Sequence, residues 1–393
     1  MVDETGFFLQ VLSDHLNRRI TDYLEGVDWS KVTRLSLIHQ VDGILFYQCK
    51  DFIPKNEYAR LEQKYYATIY YYKNREKLLT KIGKEFSANG IPYIEIKGLK
   101  VARYYPVPSL RTMGDTDLVV HIEDKERASE ILSGLGIIYR YEFTGKESNF
   151  TKHGINIELH HCLIYDEVIS TVEQKRFFND CWQYMGHDEL NHNFHFLYLL
   201  IHIRKHMMNE GVGIRQFMDL AVLIMNDTML DWNWITDKLI ELKMYRFACV
   251  CFSMIEYWFG VETPVEYIKN NEEFRVRATE KILKNGVFGF NDKNNIGNQV
   301  SNYMRFHNGP RWLLRIKMII EKVFPSYEFL KVSEFYRFLD GKPLLLPVAW
   351  CYRFYLMIIG KTTSADAIIE RIMQSNEVIN ERDSELRHWG LID

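Results

Sequence analysis

The segment LRTMGDTDLVV (110–120) places Asp115 and Asp117 one residue apart, directly ahead of an apolar run. If that run is a strand, residues i and i+2 point the same way, so both carboxylates share a face and Thr116 and Leu118 take the other. Two carboxylates this close repel, and one is driven to hold a proton unless a cation neutralises them. Mg²⁺ suits the task, because it binds through one or two carboxylates together with phosphate oxygens and water. The same pair also fits a solvated turn before a strand, with Asp capping the loop. A third acid bears on the choice. In GINIELHH (154–161), Ile155, Ile157 and Leu159 alternate with Asn156, Glu158 and His160, so the polar face carries one acid between two neutral hydrogen-bonding groups. If this strand lies beside the aspartate strand, three carboxylates converge. That is the layout of a two-metal site, whose ions, roughly 3.5–4 Å apart, clamp the attacking and leaving oxygens of a phosphoryl transfer. Taken alone, Glu158 reads equally well as an exposed strand residue.

Other residues could serve the same chemistry. IPYIEIKG (91–98) reads as a short strand ending at Lys97 and Gly98, where a helix opens. A glycine there lets backbone N–H groups approach an anion at the helix N-terminus, and Lys97 adds a point charge suited to a triphosphate. Arg111 has the reach for a phosphate, or for an acid that ties the loop down. His202 and His206 are i, i+4, a spacing that can bind zinc, but no HExxH arrangement accompanies them. Hydrogen-bonded histidines at a domain interface are expected for them and for His192 and His195, with Lys205 or His206 facing a nucleotide as the functional variant. Arg215 and Asp219 are spaced as a helix ion pair, worth ~0.2–0.5 kcal/mol. The tyrosines at 65–72 read as packing surface ahead of a nucleobase platform, and Tyr104 and Tyr105 as helix-end packing.

These residues need elements to position them. Residues 1–90 read as an N-terminal helical region: WSKVTRLSLIHQVDGILFYQCKDF has helical apolar spacing, and a long helix runs from Pro54 to Gly90. Residues 91–165 read as strand, helix, strand, helix and three further strands, with Asp124 as a helix N-cap and a turn around Gly145. Residues 166–300 read as a helical domain with Asn-rich loop stretches, among them GFNDKNNIGNQ, and 301–393 as a helical tail broken near Phe324–Ser326. The expected fold class is therefore α/β plus α, a small mixed sheet flanked by N- and C-terminal helical regions.

Bulk properties bound the function. The 393 residues are 47% hydrophobic and 14% aromatic, enough for a sizeable core. A net charge of −3 gives no global field for a polyanion, so no DNA binding is expected. The six scattered cysteines form no CxxC pair, which argues against a zinc knuckle or a disulfide framework and for a reducing, cytoplasmic setting. No signal peptide is visible. The apolar run PLLLPVAWCYRFYLMIIG (343–360) contains Arg353 and Pro347 and falls short of the roughly 20 apolar residues of a membrane span. An amphipathic helix packed on the protein is expected there, ahead of a membrane contact.

IPYIEIKG, YYPVPSLRTMGDTDLVV and INIELHH together resemble the nucleotidyltransferase superfamily of DNA polymerase β type, most closely its uncharacterised bacterial nucleotidyltransferases (NTP_transf_5-like). The flanks are similar too, through the helix pair at His202–Asp219, where the resemblance implies that Arg215 and Asp219 line the cleft, and the FPS…LLP…R tail. The resemblance implies Asp115 and Asp117 as metal ligands and Glu158 as the third carboxylate, which helps activate the attacking hydroxyl. It also implies Lys97, Gly98, Arg111 and Gly114 as substrate-binding residues, Mg²⁺ or Mn²⁺ as cofactor and an NTP as partner. Leu99 stands where a Ser or Gly is usual after Gly98. The acceptor is left open among a small molecule, a protein and RNA. The competing expectations are a catalytically degenerate binding or scaffold protein and a toxin-like enzyme acting on tRNA ends, the latter disfavoured by the near-neutral charge.

Overall fold

Amphipathic helices open the chain in a computed structural model that describes residues 3–143, 147–165, 170–186, 189–209, 211–286, 300, 303–304, 307, 309–331, 333–373 and 376–392. Helix α1 (Glu4–Leu16) is followed by α2 (Trp29–Ile38), whose N-cap Asp28 accepts from the backbone N–H groups of Ser30 and Lys31. The helical spacing of 29–52 is divided into α2 and α3 (Asp42–Cys49), because Gln40 takes a left-handed φ of 55° between them. The long helix α4 (Lys55–Ala88) starts after Pro54. It ends as Gly90 takes φ +66° and Ile91 N–H bonds back to the Phe86 carbonyl at 2.9 Å. Of its tyrosines, Tyr65 packs on Phe46, whereas Tyr66, Tyr70 and Tyr71 are exposed, so the expected packing surface is only partly formed.

The sheet comprises β1 (Tyr93–Ile96), β2 (Asp115–Val120), β3 (Ile138–Phe143), β4 (Glu147–Lys152) and β5 (Ile155–His160), in the order β1-β2-β5-β4-β3. Only the β2–β5 pairing is parallel; the rest are antiparallel. The short helix α5 (Gly98–Ala102) follows β1, and α6 (Lys125–Gly134) follows β2. Asp124 occupies the N-cap position of α6, but its side chain accepts from Arg127 rather than from the helix N-terminus. The expected turn at Gly145 and the GFNDKNNIGNQ stretch lie outside the described residues.

Alternation sends the two sheet faces into different cores. Leu118, Val120, Ile157 and Leu159 pack with Leu79, Ile82 and Phe86 of α4 and with α6. Ile94, Ile96 and Val119 join a larger core shared with α1–α3 and with α7 (Val172–Asn179), α8 (His192–Asn209), α9 (Ile214–Asn226), α10 (Trp232–Glu241), α11 (Tyr245–Phe259) and α12 (Glu272–Asn285). Asp115 and Asp117 fall on this second face, toward α8 and α9. Trp389 and Leu391 return to the same core, whereas helices Arg311–Val323 and Leu346–Ile358 belong to smaller clusters. Of helix Leu346–Ile358 only Ala349, Leu356 and Met357 are buried, so the expected packed helix leaves an apolar outer face. Among the described residues, no helix is long and apolar enough to cross a membrane.

Buried histidines make this core sensitive to acid. His39 Nε2–H donates to the Leu283 carbonyl at 3.1 Å while Nδ1 accepts from Ile214 N–H, so the ring is neutral and bridges three segments. Burial pushes its pKa down to about 4, against a favourable Leu283 hydrogen bond and with help from Arg215. A folded pKa below the unfolded value of about 6.5 means the contribution is complete above that pH and is lost as pH falls toward 4. Thermal melts from pH 7.5 to 4.5 are expected to show this loss, and a His39→Gln variant, though less stable at pH 7.5, to show a shallower pH slope. An unchanged slope would contradict the assignment.

Candidate functional site

The site is set by register. In the parallel β2–β5 pairing Asp117 stands opposite Glu158 and Asp115 opposite Asn156, while β4 brings Glu147 opposite His160. Because β1 runs antiparallel to β2 with Ile96 opposite Asp117, Lys97 emerges beside the carboxylates. Its ammonium donates to Asp117 Oδ1 at 2.9 Å. His160 Nε2 lies 3.3 Å from both Asp117 Oδ1 and Glu158 Oε2, and its Nδ1 lies 3.5 Å from Glu147 Oε2. One ligand atom from each of Asp117, Glu158 and His160 falls within 4.8 Å of the others. The structure thus gathers a carboxylate–carboxylate–imidazole set, with Asp115 beside it at the mouth of the strand.

The electrostatics follow from this crowding. Burial alone would raise the Asp117 pKa, but Lys97 and His160 outweigh it and hold that carboxyl well below the usual range. Burial would likewise lower His160, but its hydrogen bonds to Asp117 and Glu158 push it up to about 9, so the imidazole read from sequence as neutral is a cation here. Asp115, open to the cleft, is pushed up to about 6, first by desolvation among the cleft walls and then by the Glu158 and Asp117 charges.

A cavity of about 490 Å³ lies over this wall and is roofed by Tyr198, His202 and His206 of α8 and by Arg215 of α9. His202 and His206 face each other Nε2 to Nε2 at 3.1 Å, and burial, with Lys97 nearby, holds His202 neutral. Tyr198 lies under the Lys97 ammonium, 5.7 Å from its ring centroid. The backbone of Lys97 is strained, with φ 56° and ψ −128°, and its N–H is fixed by His195 Nε2 at 3.1 Å. Gly98 follows at φ +33°. A Cβ on Gly114 would meet nothing within 4 Å, so that backbone is open to approach.

Arg111 takes the second of its two readings and ties down an acid. Its Nε and Nη2 each donate to Asp219 at 2.7 Å, and Tyr105 O–H donates to the same carboxylate at 2.7 Å. Its Nε and Nη2 are thereby engaged within the protein, while the residue still lines the cavity. The expected Arg215–Asp219 pair is replaced. Arg215 instead donates to Gln40 Oε1 and Thr112 Oγ1, has no carboxylate within ion-pair distance among the described residues, and lines the cavity. Burial, with Arg111 close by, pushes its pKa down to about 10.

Two residues escaped the sequence reading of the site, His160 as a partner of the carboxylates and Arg75, whereas Arg215 lines the cavity as the family resemblance implied. His160 joins the carboxylates, and Arg75 of α4 donates to the carbonyls of Met113, Gly114 and Asp115, fixing the approach to β2. Arg75 had a signal: it occupies the apolar stripe continued by Leu79, Ile82 and Phe86, where a cation needs a specific partner. Residues 25–260 match the model of a family described as an uncharacterised nucleotidyltransferase. No curated protein and no solved structure matches the chain.

Proposed function

The chain belongs to this uncharacterised nucleotidyltransferase family, and from that premise we propose that it transfers a nucleoside monophosphate from an NTP to a hydroxyl-bearing acceptor, releasing pyrophosphate, with Mg²⁺ or Mn²⁺ at the carboxylate wall. The observation that carries this reading is the parallel β2–β5 register, which sets Glu158 against Asp117 on the cavity floor. The donor set fits a divalent cation: two carboxylates and an imidazole within 4.8 Å, with the Asp115 carboxyl beside them on the same cavity. Asp117, Glu158 and, once it has released its Nε2 proton, His160 would hold the ion, with Asp115 completing its surroundings. Bound there, divalent cations would neutralise the triphosphate and lower the proton affinity of the acceptor hydroxyl, the assistance used in two-metal phosphoryl transfer.

The protein's own groups supply the rest. The acceptor oxygen attacks the α-phosphorus, the bond from that phosphorus to the bridging oxygen breaks, and pyrophosphate leaves with the bonding electrons. Glu158 receives the acceptor's proton. Lys97, released from Asp117, turns its ammonium to the phosphates, and Arg215 meets them from α9 across the cavity. Gly98 and Gly114 let the triphosphate approach backbone. Positioning and charge neutralisation dominate such reactions.

Calorimetric titration with ATP, GTP, CTP and UTP, with and without Mg²⁺, tests the reading. At least one nucleotide is expected to bind about tenfold or more tightly with the metal; affinity indifferent to Mg²⁺ would instead fit a degenerate binding module. A second expected result concerns Lys97→Met. Removing the ammonium that competes for Asp117 should strengthen Mn²⁺ binding to the nucleotide-free protein by about tenfold, the equivalent of one pKa unit of interaction, while weakening nucleotide binding. Weaker Mn²⁺ binding in that variant would contradict the role given to Lys97.

A further inference from the structure

Helix Arg311–Val323 turns Leu314 and Met318 inward and leaves Trp312 (64% exposed), Leu313, Ile316 and Ile320 outside. Helical geometry puts these four on one arc of about 100°. Helix Leu346–Ile358 repeats the arrangement with Val348, Cys351, Tyr355 and Ile358 (84% exposed) in a row that contains no charge, and Leu344 just before it is 93% exposed. The helices adjoin: Phe324 lies 5.5 Å from Trp350 and 5.7 Å from Phe354, ring to ring, and Arg353 Nη2 donates to the Lys322 carbonyl. Phe324 and Phe354 are themselves exposed. The two outer faces therefore meet at this aromatic contact.

Charge identifies the occupant. Residues 311–361 contain nine Lys and Arg against four Asp and Glu, a net of +5 in a chain whose total is −3, which leaves −8 for the rest. The exposed cations bracket the apolar faces. Arg311 and Lys322 lie at the ends of the first helix and Lys317 beside its apolar arc; Lys342 precedes Leu344 and Lys361 follows Ile359.

We propose that this face docks on an anionic phospholipid bilayer surface. Helices with apolar residues on one side and Lys and Arg at its margins seat the apolar side at the acyl boundary and the cations among anionic headgroups. A second copy docked through the same patch would set +5 against +5. A 13-residue helix is about 20 Å long, short of the roughly 30 Å hydrocarbon core, so the docking is peripheral and parallel to the surface.

Co-sedimentation of the full chain with phosphatidylcholine vesicles, with and without about 30 mol% phosphatidylglycerol, tests this. Binding to the anionic vesicles is expected to exceed binding to the neutral ones by about tenfold or more, and to weaken in about 0.5 M NaCl. The surface variant Ile316→Glu/Ile358→Glu is expected to lose about tenfold or more of that binding with an unchanged melting temperature and elution volume. Wild-type protein that stays in the supernatant with both vesicles overturns the proposal. So does a double variant that sediments like wild type, or a wild-type dimer that this double substitution converts to monomer, since the face would then be an interface between copies.

Discussion

Asp115→Asn is expected to reduce nucleotidyl transfer by about 10³-fold or more while leaving the protein at least as stable as wild type at pH 7.5. Asp115 adds to the charge that a cation must meet, so the amide removes a ligand for the reaction. For the metal-free fold the same carboxylate is a liability. Crowding in the cleft, then Glu158 and Asp117, raise its pKa to about 6, above the ~3.9 of an unfolded chain. The sign follows: the ionised group costs stability above pH 6, and the cost disappears as pH falls through 6 toward 4. Because the side chain is exposed, solvent screening limits the gain to ~1 kcal/mol. Thermal melts of the metal-free variant and wild type at pH 7.5 and 4.5 would show the variant's advantage at the higher pH only. A variant that loses both activity and stability at pH 7.5 would place Asp115 in a structural ion pair instead.

The largest stability effect is expected at Asp219. Its carboxylate accepts two bonds from Arg111 and one from Tyr105, all at 2.7 Å and buried, and joins α9 to the loop that leads into β2. Asp219→Ala strands a buried guanidinium and a buried phenol, at a cost of ~3–5 kcal/mol. Urea denaturation would measure the difference. Replacing the whole cluster, as Arg111→Met/Tyr105→Phe/Asp219→Leu, is expected to recover most of it, because no polar group is then left unpaired. A shift below ~1 kcal/mol for Asp219→Ala would contradict the assigned cluster.

Much of the site is visible in the chain because it is local. An apolar run marked β2 and alternation marked β5, and the spacing of Asp115 and Asp117 gave them a common face before any partner was known. What spacing cannot encode is which strand lies beside which. The Lys97–Asp117 contact arises from antiparallel pairing of β1 with β2, and the place of His160 from parallel pairing of β2 with β5. Arg215 and Asp219 satisfy a helix-pair rule that the structure overrides, because the bidentate fork of Arg111, 108 residues away, is the better match for the carboxylate. In helix Leu346–Ile358 the apolar period is plain, but apolar residues surround much of it, and periodicity does not say which side is covered.

In the proposed transfer the α-phosphorus of an NTP is the atom attacked. Incubating the protein with a cell extract, Mg²⁺ and NTPs labelled at either the α- or the γ-phosphorus tests it most directly. The α-label is expected to be retained on an acceptor, in a metal-dependent way, with the γ-label released in pyrophosphate and both outcomes lost in Asp117→Asn. An acceptor that carries the γ-label, or α-label incorporation that persists in Asp117→Asn, would contradict the account.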